Sequence, residues 1–136
     1  MAVVQELIRK EDNGTISFGN YELTQKTKLS DFEVNGDIYK VKTFAEITKL
    51  ERNDMFVYES VPGTAVFELN ADGNGMEFSV EGVQDAQITL ELEAESEYTV
   101  ELDGENTGKM TTNLGGKLTI GVELESGKQV HVKVVR

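Results

Sequence analysis

The chain has 136 residues, a net charge of −12, and neither cysteine nor tryptophan. That length suits one domain that buries about two thirds of its unfolded surface without covalent staples, and the lack of cysteine excludes disulfides, thiolate zinc sites and a cysteine nucleophile. So acidic a surface disfavours nucleic acid and anionic membranes, which are bound through Lys and Arg.

In chain order, Val3 to Ile8 reads as a weak first strand. The start M-A-V-V-Q-E-L-I-R-K carries charge by Glu6 and does not read as a signal peptide. No later stretch is apolar enough to span a bilayer as a helix. The expected location, a removed leader aside, is the cytoplasm. Asp12-Asn13-Gly14 signals a turn, and Thr15 to Leu23 follows as a strand interrupted by a bulge or tight turn at Gly19-Asn20. Thr24 to Asp31 is polar, lysine-rich and reads as a connection. Asn35-Gly36 is the strongest hairpin signal, leading from Phe32 and Val34 into a strand over Asp37 to Phe44.

Thr43 to Arg52 supports two readings. Thr43 and Glu46 fit a capping box, and Phe44, Ile47 and Leu50 recur at helical spacing. The same letters also fit a hairpin that turns at Asn53-Asp54. The spacing favours one short helix. Met55 to Val61 is a strand that stops at Pro62-Gly63, a pair suited to a type II turn.

From Thr64 the alternation becomes regular. It predicts seven strands: Thr64–Leu69, Met76–Glu81, Gln87–Leu92, Glu97–Leu102, Thr107–Thr112, Lys117–Leu124 and Gln129–Val135. Their inward positions are Ala65, Phe67, Leu69, Met76, Phe78, Val80, Ile88, Leu90, Leu92, Tyr98, Val100, Leu102, Leu118, Ile120, Val122, Val130, Val132 and Val134. Short strands at this spacing predict a mainly β protein, an antiparallel sandwich spanning residues 61–136. Residues 1–60 form a β-rich extension that packs on it or continues its sheets.

The run L-E-A-E-S-E-Y-T-V-E-L from Leu92 to Leu102 resembles the corner between strands E and F of fibronectin type III and related immunoglobulin-like domains. There a tyrosine turns its hydroxyl onto upstream backbone, and Tyr98 occupies that position. The downstream run from Thr111 to Val135 is similar to the end of transthyretin-like bacterial repeats. Together the two cover about a third of the chain, and they imply an immunoglobulin-like β-sandwich. They imply no activity, because folds of this kind carry many functions.

Charge is unevenly spread. Residues 1–52 hold eight basic and nine acidic side chains, residues 53–108 hold fourteen acidic and no basic ones, and residues 109–136 hold five basic and two acidic. Outward-facing Glu91, Glu93 and Glu101 are candidate contacts for a basic partner, although a solvated strand face, the ordinary place for charge, is the favoured account. Phe56 and Tyr58 flank Val57 and should share one face, where a partner or a sugar ring could stack; burial in a core is the competing account.

Asn70, Asp72, Asn74, Gly75 and Glu81 match positions of an EF-hand calcium loop, but period-two flanks place Glu81 about 20 Å from Gly75 along a strand, too far to close a cage. His131 is the only histidine, and no serine-nucleophile, phosphate-loop or dinucleotide motif is present. No catalytic, metal-binding or cofactor-binding residue is assigned, and the chain does not read as an enzyme. The expected function is a non-catalytic β-sandwich module that binds a protein or helps a complex assemble, with self-association through an edge strand open. A carbohydrate-binding or carbohydrate-enzyme accessory domain is the alternative.

Overall fold

Alternating apolar residues and closely spaced turns divide the chain into thirteen strands. The computed structural model describes residues 2–136, and no helix occurs among them. The strands are β1 (Ile8–Lys10), β2 (Ile16–Phe18), β3 (Thr27–Val34), β4 (Asp37–Phe44), β5 (Ile47–Arg52), β6 (Met55–Val61), β7 (Ala65–Asp72), β8 (Gly75–Glu81), β9 (Ala86–Glu91), β10 (Glu97–Leu102), β11 (Glu105–Thr111), β12 (Lys117–Val122) and β13 (Gln129–Val135). One sheet has seven strands in the order β1-β2-β7-β8-β13-β10-β11, and the other has six in the order β12-β9-β6-β5-β4-β3. Every pair is antiparallel. The sheets stack as a β-sandwich around one apolar cluster that runs from Ile8 to Val134. At its centre Tyr58 meets Phe18 and Phe78 edge-on, with ring centroids 5.3 and 5.6 Å away, a favoured aromatic geometry.

The first sixty residues serve both layers. β1 and β2 extend the seven-stranded sheet beyond β7, while β3 to β6 continue the six-stranded sheet from β9. The turns explain the tight hairpins. Asn35 and Gly36 have φ of 51° and 88°, and Asn53 and Asp54 have φ of 52° and 64°. Two positive φ values in a two-residue turn match the twist of the flanking strands.

The end of β4, a turn at Ala45-Glu46 and strand β5, which runs into the hairpin at Asn53-Asp54, therefore replace the helix expected over Thr43 to Arg52. Thr43 caps nothing: its hydroxyl is buried and accepts the Asn20 N–H at 2.9 Å. Phe44 and Ile47 lie opposite each other across β4 and β5, and Leu50 faces the core. Cross-strand pairing on both sides outweighs a local helical preference. Three other expectations shift. Thr27 to Asp31 belongs to strand β3 rather than a connection, and the first strand begins at Ile8. Gly63 lacks the positive φ of a type II turn, and the Val61–Pro62 bond is cis.

A chain of buried hydroxyls joins the layers where β6 hands over to β7. Thr48 Oγ1 donates to the Thr64 carbonyl at 2.8 Å and accepts the Thr64 N–H at 3.1 Å. A hydroxyl has one proton, so the Thr43 hydroxyl, 2.8 Å away, must be the donor to Thr48. Thr64 Oγ1 sits 2.8 Å from both Tyr58 Oη and Ser60 Oγ. Burial keeps the Tyr58 phenol protonated, far above its ordinary range. Gly19 passes so close that a Cβ there would lie 2.4 Å from the Thr64 carbonyl oxygen, and its φ of 101° suits glycine.

Extra residues in β3, β6, β7 and β11 bulge the ladders. In β7 the bulge follows Phe67, with Glu68 at φ 55°. Val66 and Leu69 therefore face the core, and Phe67, expected inside, lies beneath the Arg9 guanidinium at 6.0 Å. Of the other expected core positions, Leu92 and Leu102 are partly buried and the rest are buried. Tyr98 is buried, and its Oη accepts the Glu93 N–H at 3.1 Å, upstream of the corner.

Thr64→Val keeps the shape but strips Tyr58 and Ser60 of their shared partner. It should lower stability by roughly 2–4 kcal/mol in denaturant unfolding, the cost of leaving buried hydroxyls unpaired. Tyr98→Phe should cost about 1–2 kcal/mol by the same measurement, because it orphans the Glu93 N–H.

Candidate functional site

The β3–β4, β5–β6 and β7–β8 turns surround a cleft of about 490 Å³ at one end of the sandwich. Its floor is the end of the core, at Val57, Met76 and Tyr98. Met55, 64% exposed, and Leu92 stand on its sides. Asp37, Asp72, Glu91 and Glu93 surround it, with Arg52 as the one basic residue. Part of this rim is fixed by local bonds. Asn53 donates to Asp37 Oδ1 at 2.9 Å and accepts the Ile38 N–H at 2.9 Å, which ties two turns together. Asp72 Oδ1 accepts the Asn74 N–H at 2.7 Å, closing the third.

The residues singled out by sequence separate. In β6 the ladder opposes Tyr58 to Leu50 but Phe56 to Glu51, with Val57 as the extra residue. Phe56 and Tyr58 therefore face opposite sides of the sheet. Tyr58 lies wholly in the core, out of reach of any partner. Phe56 borders the cleft, and its half-buried ring carries the Lys117 ammonium 4.8 Å from its centroid and that of Lys49 at 5.9 Å. Glu91 pairs with Lys117 at 3.1 Å. Glu93 is anchored by its backbone: its carbonyl accepts the Thr112 hydroxyl at 2.6 Å and its N–H bonds Tyr98. Glu101 lies on β10 of the other sheet, opposite Lys133. The three glutamates do not form one face.

A second cleft, of about 500 Å³, opens at the other ends of β9 and β10, among Asp85, Asp103, Glu105, Glu123, Glu125 and Lys128. Asp85 and Asp103 there accept the N–H groups of Leu124 and His131 at 3.2 and 2.8 Å.

The calcium-loop letters and Glu81 are held at opposite ends of β8. Glu81 is buried and accepts the Ala2 N–H at 2.6 Å. Burial, followed by the charge of Glu81, pushes the Tyr21 phenol up to about 12.

Two clusters escaped the sequence. His131 Nε2 lies 2.7 Å from Glu77 Oε2, and His131 Nδ1 lies 3.4 Å from Ser79 Oγ, because β13 pairs His131 with Ser79. The trio has the letters of a nucleophilic triad. However, β8 is hydrogen-bonded along both edges, so its amides are committed to the ladders rather than free for an oxyanion. The second cluster is a row of lysines, Lys28, Lys42 and Lys49, set side by side across β3, β4 and β5 on the outer face of the six-stranded sheet. Period-two spacing of Lys40 and Lys42 was the available signal. Assigning a connection before β4 and a helix after it hid the other two members.

Comparison with known proteins finds no matching family model, no similar curated protein and no similar solved structure.

The two aromatic positions should respond differently to truncation. Tyr58→Ala should cost about 3–5 kcal/mol in chemical unfolding, as for a large core side chain. Phe56→Ala should cost only about 1–2 kcal/mol, from a partly exposed ring and its cation contacts.

Proposed function

We propose that the protein is a non-catalytic β-sandwich binding module that receives a basic segment of a partner protein in the end cleft. The observation that carries this is the composition of the cleft: an apolar floor, an exposed methionine, and three carboxylates, Asp37, Asp72 and Glu93, beside the Lys117-paired Glu91 and against one arginine. A Lys or Arg side chain has a matching shape, an apolar stem that packs on such a floor and a charged head that reaches the rim. Met55 suits this role, since an unbranched thioether adapts to varied partners. The hydroxyl-to-backbone bond of Tyr98 supports an immunoglobulin-like corner, and domains of that architecture commonly bind partners through loops at one end.

Carbohydrate stacking has less support, because Lys117 already occupies the ring of Phe56 and Tyr58 is inside. Edge-strand self-association also has less. β11 is exposed along its length, but a bulge, Gly108 at φ 119° and Lys109 blunt it as a template.

Titration with a tetra-arginine peptide, followed by amide shifts in heteronuclear NMR, tests the proposal. The shifts should centre on Met55, Gly73 and Leu92, and affinity should fall steeply with salt. Glu93→Gln should weaken binding about threefold to tenfold, the range expected for loss of a partly exposed ion pair. Glu101→Gln, on the other sheet, should leave it unchanged. Equal effects of the two substitutions, or shifts spread over every acidic surface, would reject the cleft as the site.

A further inference from the structure

Like charges placed directly opposite each other in a sheet destabilise it, and this acidic chain has done so twice in succession. Lys28 faces Lys42 across β3 and β4, and Lys42 faces Lys49 across β4 and β5. Neighbouring strands lie about 4.8 Å apart, so the row spans roughly 10 Å. Lys40 lies one outward position along β4, opposite Glu51. Among the described residues none of these four lysines forms an ion pair within 4.0 Å. The Lys42 ammonium is held below the ordinary lysine range, first by desolvation and then by Lys26, Lys49 and Lys28, with Glu59 acting in the opposite sense.

Defence of a sheet edge does not account for the row. Lysines on an edge strand prevent unwanted pairing, and Lys28 on β3 could serve that end. Lys42 and Lys49 lie on β4 and β5, whose edges are both paired. The row also encloses a space. Lys28, Lys40, Lys42, Lys49 and Glu51 line a small depression of about 60 Å³. The depression is shallow and lined by charged side chains alone, with no aromatic or apolar wall for a base or sugar ring, which suits a single oxyanion. Lysine is well suited to such a group, which it meets as a point charge.

We propose that Lys28, Lys42 and Lys49, with Lys40 beside them, form a binding site for a single phosphate or sulfate group, free or at the end of an ester. Lys49 also faces Glu59 across β5 and β6 and Lys40 faces Glu51, so two carboxylates offset part of the charge of the four lysines, and the bound dianion supplies the remainder. It is a different site from the end cleft, on the outer face of the six-stranded sheet, and takes a ligand of opposite charge.

Titrations of the full chain with sodium phosphate, sodium sulfate and glycerol 3-phosphate, at an ionic strength held constant with sodium chloride, test this by heteronuclear NMR. Saturable amide shifts confined to β3, β4 and β5 are expected. A tighter response to glycerol 3-phosphate than to phosphate identifies an ester as the ligand, and equal responses identify the free anion as sufficient. Lys42→Met should weaken binding about tenfold or more, as for loss of a charge-assisted contact, while Lys42→Arg should retain it. Without phosphate, Lys42→Met should raise the thermal midpoint, because it removes two repulsions. Lys28→Gln, at an exposed edge position, provides a second weakened variant whose folding is not in question. Shifts that grow without saturation, that chloride alone reproduces, or that survive both Lys42→Met and Lys28→Gln would overturn the proposal.

Discussion

The buried hydroxyls around Thr64 hold the two layers in register. Tyr58, Ser60, Thr48 and Thr43 all come from the six-stranded sheet, and Thr64 immediately precedes the first residue of β7 in the other. An apolar interface between sheets tolerates sliding, because hydrophobic contact has no direction. A buried hydroxyl tolerates little, since a lost partner is not replaced by water. The network therefore sets where β7 starts, which face Phe18 and Tyr58 present to each other, and how closely Gly19 must approach.

From that fixed point the bulges decide which side chains are available. One extra residue in β6 sends Phe56 outward and leaves Val57 and Tyr58 both buried. One in β7 turns Phe67 to the surface while Val66 and Leu69 fill the core. Each bulge breaks a period-two pattern that looks continuous in the letters. The same turns that close the hairpins bring Asp37, Asn53 and Asp72 around one cleft, so the end of the core and its acidic rim arise together.

Charge follows a similar logic. Fourteen acidic residues between positions 53 and 108 look like one negative block. Folding distributes them over both sheets and both ends, with Glu91 neutralised by Lys117 and Glu101 facing Lys133. Lysines that look scattered in the first fifty residues are instead gathered into a row, because strand pairing aligns residues distant in sequence. Net charge thus describes the solubility of this protein better than it describes any local surface.

The sequence by itself determined the β class, most strand positions after Thr64, and the Asn35-Gly36 hairpin. Those features depend on nearest-neighbour alternation and on residues that tolerate positive φ. It also placed Tyr98 at a corner, where its hydroxyl meets the Glu93 amide. Only the tertiary structure decided that Thr43 to Arg52 is a hairpin, since its helical letters lose to ladder bonds from β3 and β6 on either side. Only it separated Phe56 from Tyr58, because a bulge is a mismatch between two strands and has no signature in one of them. And only it assembled the end cleft and the lysine row, whose members come from different strands and acquire a shared environment when those strands pair.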